Sequence, residues 1–218
     1  MSHTFPTIRW IVDRRPTVCP VGDQGARGTC LAWAATTSHE QLVSQSLSAE
    51  YLHWASNTPP GARGTIAGLV SALDNRGQPP AAQWPYDQKL DESAATYQPL
   101  PSVSGPFSKS TVRLADESPS GLVRELSRDR LPVAILRVTQ SFLMAPGGIV
   151  DGLDTGTDGH AVAVVGVAEM LAAVGSIPSG ARLICVQNSW GPTWGVAGYG
   201  LVTEAAWTAS VLFAVVLE

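Results

Sequence analysis

A connector rich in proline divides this chain into two halves of different character. Proline fixes its own φ and has no backbone N–H to donate, so a segment with many prolines forms neither a long helix nor the interior of a sheet. Residues 77–106 contain six of them: Pro79, Pro80, Pro85, Pro99, Pro101 and Pro106. We therefore place a lobe boundary within this connector.

The half before the connector is predicted to be helical. Residues 29–42 lack Gly and Pro and are rich in Ala, and Thr29 is placed to cap the start of a helix. A second helix is predicted from Ser48, and a third over residues 66–75, ended by Gly77. Residues 1–28 contain three prolines and a cluster of Gly and Asp, which predicts an extended, turn-rich segment without regular structure.

The half after the connector is predicted to form strands. Only residues 121–130 have a helical pattern there, and short apolar runs separated by Gly and Asp turns occupy residues 131–136, 160–167, 181–187 and 211–217. Helices followed by strands are typical of an α+β fold. The 218 residues are enough for one sizeable domain or two small lobes that share a core.

Charge and composition exclude several classes of partner. The chain has 14 basic and 18 acidic residues, a formal charge of −4, and so no basic surplus for nucleic acid or anionic lipid. Its apolar runs are shorter than the roughly 18 residues that cross a bilayer. The N-terminus has no secretory pattern, and three cysteines without a CxxC pair suit a reducing compartment. We expect a cytoplasmic monomer without nucleic-acid or membrane partners.

Cys30 begins the first predicted helix, directly after a turn that contains Gly. At that position the helix dipole and the unpaired N–H groups stabilise a thiolate. Cys185 lies inside an apolar strand and Cys19 precedes Pro20, and both suit a small packed side chain. Cys30 is therefore the candidate nucleophile, although a buried structural cysteine is a common alternative.

His160 is the candidate base among the four histidines. His39 follows Cys30 by nine residues on one helix, which separates them by more than ~13 Å. His3 is close to the chain end, and His53 has aromatic neighbours that favour packing. His160 stands where a strand begins, at a rim that faces a cleft if two lobes meet there. An ordinary surface histidine is the alternative.

Asn188 follows another predicted strand and precedes a Ser and a Trp. On its own, Asn-Ser before Gly is ordinary turn chemistry. The neighbouring Trp190 changes this interpretation, because an indole beside a polar pair screens its hydrogen bond from water.

Three motifs in this order resemble the papain family of cysteine peptidases. They are QGARGTCLAW at residues 24–33, GHAVAVVG at 159–166 and NSWGPTWGVAGYG at 188–200. Smaller matches between them, such as residues 84–86 and 131–134, extend the resemblance over nearly the whole chain. The resemblance implies a single catalytic domain over residues 1–218, with two lobes and an active-site cleft between them. The helical lobe is about residues 20–105, and an antiparallel, barrel-like lobe is formed by residues 1–19 and 106–218.

The resemblance also implies a reaction, the hydrolysis of peptide bonds through an acyl-enzyme thioester. Cys30 is then the nucleophile, His160 relays the proton and Asn188 orients the imidazole. The Gln24 amide and the Cys30 backbone N–H bind the oxyanion. No cofactor and no metal is implied. The partner is a protein or peptide substrate, one example being a dedicated protein that the enzyme matures.

The resemblance also implies substrate contacts, although the motifs at these positions are less distinctive. In the family, Gly64 pairs with the substrate backbone, and a pocket with Ile66 and Leu136 favours an apolar side chain. The alternative, that Ile66 and Leu136 belong to the core, is equally supported, because this part of the match rests on spacing. The full implied set is Gly64, Thr65, Ile66, Leu136, Asp158, Gly159 and Trp190.

The chain departs from the family pattern at one position, and two alternative functions remain open. Arg27 stands where secreted relatives carry a disulfide cysteine, so that disulfide is absent. A module that keeps the cleft and binds peptide without cleaving it is one alternative. Acyl transfer from the same thioester to an amine is the other.

Overall fold

The computed structural model describes residues 5, 7–56, 64–153, 156 and 158–218. The helices are α1 (Cys30–Val43), α2 (Ala49–Ser56), α3 (Ile66–Ser71), α4 (Pro119–Leu126), α5 (Gln140–Met144) and α6 (Glu204–Ser210). The strands are β1 (Ile8–Asp13), β2 (Val112–Ala115), β3 (Val133–Arg137), β4 (Ile149–Val150), β5 (Gly159–Met170), β6 (Arg182–Gln187), β7 (Tyr199–Thr203) and β8 (Val211–Leu217). The α+β class predicted from the sequence is confirmed.

The eight strands form one sheet in the order β2-β8-β3-β5-β6-β7-β4, and β1 also pairs with β5. All pairs are antiparallel except β4 with β7. The long strand β5 pairs with β3 over its first half and with β1 over its second half, while β6 occupies its other edge. Strand β5 is therefore central in the sheet, and its first residues, with His160, pair with β3 and extend beyond the end of β6.

Helix α1 packs on this sheet through small side chains. Ala32, Ala34 and Ala35 are buried against residues of β3 and β5, including Val133 and Ala161. Alanines allow a helix backbone to approach a sheet closely. The result is a central helix whose first residue, Cys30, lies beside the sheet.

Several sequence expectations for the first half hold with small changes. The first helix extends to Val43, and the hydroxyl of Ser48 accepts a bond from the backbone N–H of Tyr51 at the start of α2. Helix α3 continues as a π-helical turn, Ala72–Arg76, up to Gly77. Thr29, however, does not cap α1 with its side chain. Its hydroxyl is engaged by the Tyr86 hydroxyl at 2.7 Å instead.

Other expectations were wrong. The segment before residue 29 contains strand β1, whose partner on β5 is more than 150 residues away and leaves no local signal. The helix predicted over residues 121–130 spans Pro119–Leu126, capped by Ser118. Helices α5 and α6 are also present in the second half, and with five and seven residues each is too short to show a repeated 3.6-residue pattern.

The predicted lobe limits stay a prediction. Helices α1 to α3 do fall within residues 20–105, and all eight strands fall outside that range. In the part of the chain that the structure describes, we find no helix with the length and apolar character of a membrane span.

Candidate active site

An open cleft of about 860 Å³ lies between the start of α1 and the sheet. Nine of the eleven residues singled out from the sequence line it, the exceptions being Asn188 and Leu136. The nine are Gln24, Cys30, Gly64, Thr65, Ile66, Asp158, Gly159, His160 and Trp190. The fold thus brings together residues from four separate segments of the chain.

Cys30 is the first residue of the 14-residue helix α1, and its side chain is half-buried in the cleft wall. The positive end of the helix dipole favours the anionic form of a thiol placed there. None of the three cysteines forms a disulfide. The other two lie in environments that suppress ionisation: burial and then the Glu40 carboxylate raise the pKa of Cys19 to about 12, and burial raises the pKa of Cys185.

His160 is buried at the start of β5 and pairs with Asn188 at the end of β6. The distance between His160 Nε2 and Asn188 Oδ1 is 2.7 Å. The Trp190 ring lies against the imidazole, with centroids 4.6 Å apart and an angle of 39° between the planes. This indole, together with the nearby ring of Phe142, keeps water from the imidazole.

The backbone of Ser189 fixes which nitrogen of His160 carries the proton. The Ser189 N–H donates to Asn188 Oδ1 at 2.8 Å, and since a backbone N–H only donates, this atom must be the amide oxygen. His160 Nε2 then donates to the same oxygen. In the neutral imidazole the lone pair is left on Nδ1, which makes Nδ1 a proton acceptor.

Burial favours this neutral form. It lowers the pKa of His160 to about 4, although the hydrogen bond to Asn188 acts in the opposite direction. At neutral pH the imidazole by itself is therefore a base.

The side-chain amide of Gln24 is held at both ends. Its Nε2 donates to the backbone carbonyl of Arg27 at 2.6 Å, and its Oε1 accepts from the Ser189 hydroxyl at 2.7 Å. One amide hydrogen thus remains available at the edge of the cleft. The carbonyl of Ser189 also accepts from the backbone N–H of Gln24 at 2.7 Å, which joins the two segments directly.

Leu136 does not line the cleft, and this expectation was wrong. Side chains alternate between the two faces of a strand, and Leu136 is on the face of β3 that points into the larger core, where it is 1% exposed. Its neighbour Ile135 lines the cleft instead, beside its cross-strand partners Ala161 and Phe213. With Ile66 from α3, these side chains form an apolar wall.

Sequence reasoning missed two contributors to the site. Phe213 lines the cleft opposite Ile135, and only the pairing of β3 with β8 brings it there. Ser189 was read as part of a motif, without a role of its own. Its contacts with Gln24 and Asn188 depend on the approach of the entry segment to the end of β6, which no local pattern indicates.

Comparison with protein-family models finds a match to one family, described as papain family cysteine protease, over residues 8–209. Among curated proteins, chymopapain from Carica papaya is 27% identical over 189 residues, which cover 84% of this chain and 51% of that protein. Pro-cathepsin H from Mus musculus is 27% identical over 200 residues, 85% of this chain and 56% of that protein. The chain spans about half the length of the curated relatives it matches.

Solved structures show the same fold. Xylellain, a cysteine protease from Xylella fastidiosa, superposes with a TM-score of 0.71 at 20% identity, covering 99% of this chain and 87% of that one. Bromelain protease from Ananas comosus in complex with the E64 inhibitor gives a TM-score of 0.69 at 20% identity and covers 94% and 96% of the two chains. At this level of identity, the structural similarity is evidence for the fold alone.

Proposed function

The chain belongs to the papain family of cysteine proteases, and we propose on that basis that it hydrolyses peptide bonds through a Cys30 thioester. The observation that carries the proposal is the 2.7 Å hydrogen bond between His160 and Asn188, in the cleft where α1 begins with Cys30. This bond fixes the tautomer of the imidazole and leaves its lone pair on Nδ1. A general base requires it.

In the first half of the reaction, His160 Nδ1 accepts the proton of the Cys30 thiol as the sulfur attacks the substrate carbonyl. The electron pair of the carbonyl moves to its oxygen, where the Gln24 amide and the Cys30 N–H bind the negative charge. The imidazolium then gives its proton to the leaving amine as the C–N bond breaks. A thioester on Cys30 remains.

In the second half, water replaces the amine. His160 takes a proton from the water as it attacks the thioester carbonyl, and returns it to the sulfur as the C–S bond breaks. The carboxylic acid leaves and Cys30 is regenerated. Removing the Gln24 amide from the oxyanion site should cost about 3 kcal/mol of transition-state stabilisation.

The apolar wall supports a preference for substrates with an apolar side chain on the acyl side of the cut. Ile66, Ile135, Ala161 and Phe213 offer no charged or hydrogen-bonding group to a polar side chain. Gly64, which also lines the cleft, fits the role of pairing with the substrate backbone. The substrate class that follows is a protein or peptide that presents an extended segment with a branched or aromatic apolar residue.

The test is cleavage of a peptide library by the wild-type protein and by Cys30→Ala, with products identified by mass spectrometry. Cleavage by the wild type and none by Cys30→Ala supports the proposal, and Cys185→Ala is the matched control that should retain activity. Cleavage that persists in Cys30→Ala excludes this nucleophile. Peptides that bind without being cut point to a binding module, and products joined to an added amine point to acyl transfer.

A further inference from the structure

Arg27 lies in the loop just before α1, and every N–H group of its guanidinium has an acceptor. Nε donates to Glu92 at 2.7 Å, and the two terminal nitrogens donate to the two carboxylate oxygens of Glu50 at 2.6 Å each. The backbone carbonyl of Asp87 at 2.6 Å and the Tyr97 hydroxyl at 3.4 Å accept the remaining two. We call this set of residues the Arg27 cluster.

The centre of the Arg27 cluster is a buried ion pair. The side chains of Arg27 and Glu50 are 8% and 0% exposed. The guanidinium also lies over the Tyr86 ring, with Cζ 4.7 Å from the centroid. Burial alone works against the charge, but the hydrogen bonds to Glu50 and Glu92 outweigh it and raise the pKa of Arg27. Because a buried charge without its partners is very unfavourable, the guanidinium has few alternative positions.

The backbone of the same residue holds the oxyanion donor. The Arg27 carbonyl accepts the 2.6 Å bond from Gln24 Nε2, and the Tyr86 hydroxyl donates to the Gln24 backbone carbonyl at 2.9 Å. A chain of contacts therefore runs from Glu50 in α2 through Arg27 to the Gln24 amide. The three cysteines of the chain form no disulfide, so this loop is fixed by charge and hydrogen bonds.

We propose that the bidentate pairing of Arg27 with Glu50 positions the oxyanion hole, by holding the Arg27 carbonyl where it aligns the Gln24 amide. The inference rests on the proposed peptidase function. Arg27 and Glu50 are positioning residues here, since they act on the reacting atoms through Gln24. A Lys in place of Arg27 cannot hold the loop in this way. Its ammonium group lacks the planar fork that contacts both carboxylate oxygens and the flanking acceptors together.

The experiment compares Glu50→Gln and Arg27→Lys with the wild type in peptide hydrolysis and in alkylation of Cys30 by iodoacetamide. Alkylation consumes the thiolate without forming an oxyanion, so it reports on Cys30 and His160 alone. We expect kcat to fall roughly 10- to 100-fold, with KM and the alkylation rate changed by no more than about threefold. Glu169→Gln is the matched control, since it breaks the exposed ion pair with Arg9 and should leave both rates unchanged.

Unchanged kcat in folded variants overturns the proposal, and so does an equal loss of hydrolysis and alkylation. If Glu50→Gln does not fold, Tyr97→Phe keeps both charges and removes one hydroxyl from the cluster, with an expected kcat loss of about two- to fivefold.

The side-chain amide resonance of Gln24 in ¹⁵N NMR gives a readout without hydrolysis. It should shift in Arg27→Lys and stay in place in Glu169→Gln. A resonance that does not shift overturns the positioning role. A shifted resonance in a protein that hydrolyses no peptide leaves the positioning role supported and refutes the peptidase.

Discussion

The hydroxyl of Ser189 donates a 2.7 Å hydrogen bond to Oε1 of Gln24, while the backbone N–H of the same serine donates to Asn188 Oδ1. One residue thereby orients two side-chain amides with different proposed tasks. The first amide presents a donor to the oxyanion, and the second holds the imidazole of His160. Both are buried, so each orientation is set by the protein and not by solvent.

Replacing Ser189 by Ala should lower kcat about three- to tenfold and leave KM nearly unchanged. The loss of one hydrogen bond to a buried amide oxygen corresponds to about 1 kcal/mol, and the Gln24 amide is then held only through its Nε2 bond to the Arg27 carbonyl. The backbone N–H that holds Asn188 remains. Steady-state hydrolysis of a peptide substrate measures the effect. Ser210→Ala is the control, because that hydroxyl is also buried but donates within α6, and a similar loss there would refute the interpretation.

At neutral pH, iodoacetamide should alkylate Cys30 and spare the other two cysteines in the folded protein. The thiolate is the reactive form, and burial holds the pKa of Cys19 at about 12 and raises that of Cys185. Peptide mapping by mass spectrometry after brief labelling identifies the modified residue. The denatured protein should be labelled at all three positions. Labelling of Cys19 or Cys185 before unfolding would contradict the burial described for them.

The sequence was informative wherever function or local chemistry leaves a pattern. Cys30, His160 and Gln24 lie in distinctive motifs, and the cleft does bring them together. Helix α1 was predictable because its 14 residues contain no Gly or Pro and its first turns are rich in Ala. The α+β class followed from the same kind of pattern.

What the sequence did not reveal depends on long-range pairing. Strand β1 exists because β5 offers it an edge, and Phe213 reaches the cleft because β8 pairs with β3. The choice of Leu136 over Ile135 failed for a related reason. A one-residue error in the register of a strand exchanges its two faces, and both residues are apolar, so hydropathy does not tell them apart.

The structure therefore predicts different consequences when Ile135 and Leu136 are each replaced by Ala. Ile135→Ala should lower kcat/KM for a substrate with a large apolar side chain in the pocket by roughly tenfold, because it removes part of the cleft wall. Leu136→Ala should instead lower the free energy of unfolding by about 2–5 kcal/mol through a core cavity, and leave substrate preference unchanged. Urea unfolding and a comparison of peptide substrates separate the two. If Leu136→Ala instead lost the preference for an apolar substrate side chain, Leu136 would line the pocket, as the resemblance implied.

The buried imidazole predicts how stability depends on pH. In the unfolded chain His160 has its ordinary pKa near 6.5, whereas in the folded protein the pKa is about 4. Between these values only the unfolded chain gains a proton at this site, so acid favours unfolding. The contribution is fully present above about pH 6.5 and is lost as the pH falls to about 4, a change of about 3 kcal/mol. Burial lowers the pKa of His39 as well, which adds a further loss of folding stability in acid.

Urea unfolding of the wild type and of His160→Gln, at neutral pH and near pH 4.5, isolates this contribution. The variant has no group that titrates at position 160, so its stability should fall less on acidification, by about 2–3 kcal/mol. His39 and the carboxylates are common to both proteins, and their effects cancel in the difference. Equal losses in the two proteins would mean that folding does not lower the pKa of His160. The base would then carry a proton in mild acid.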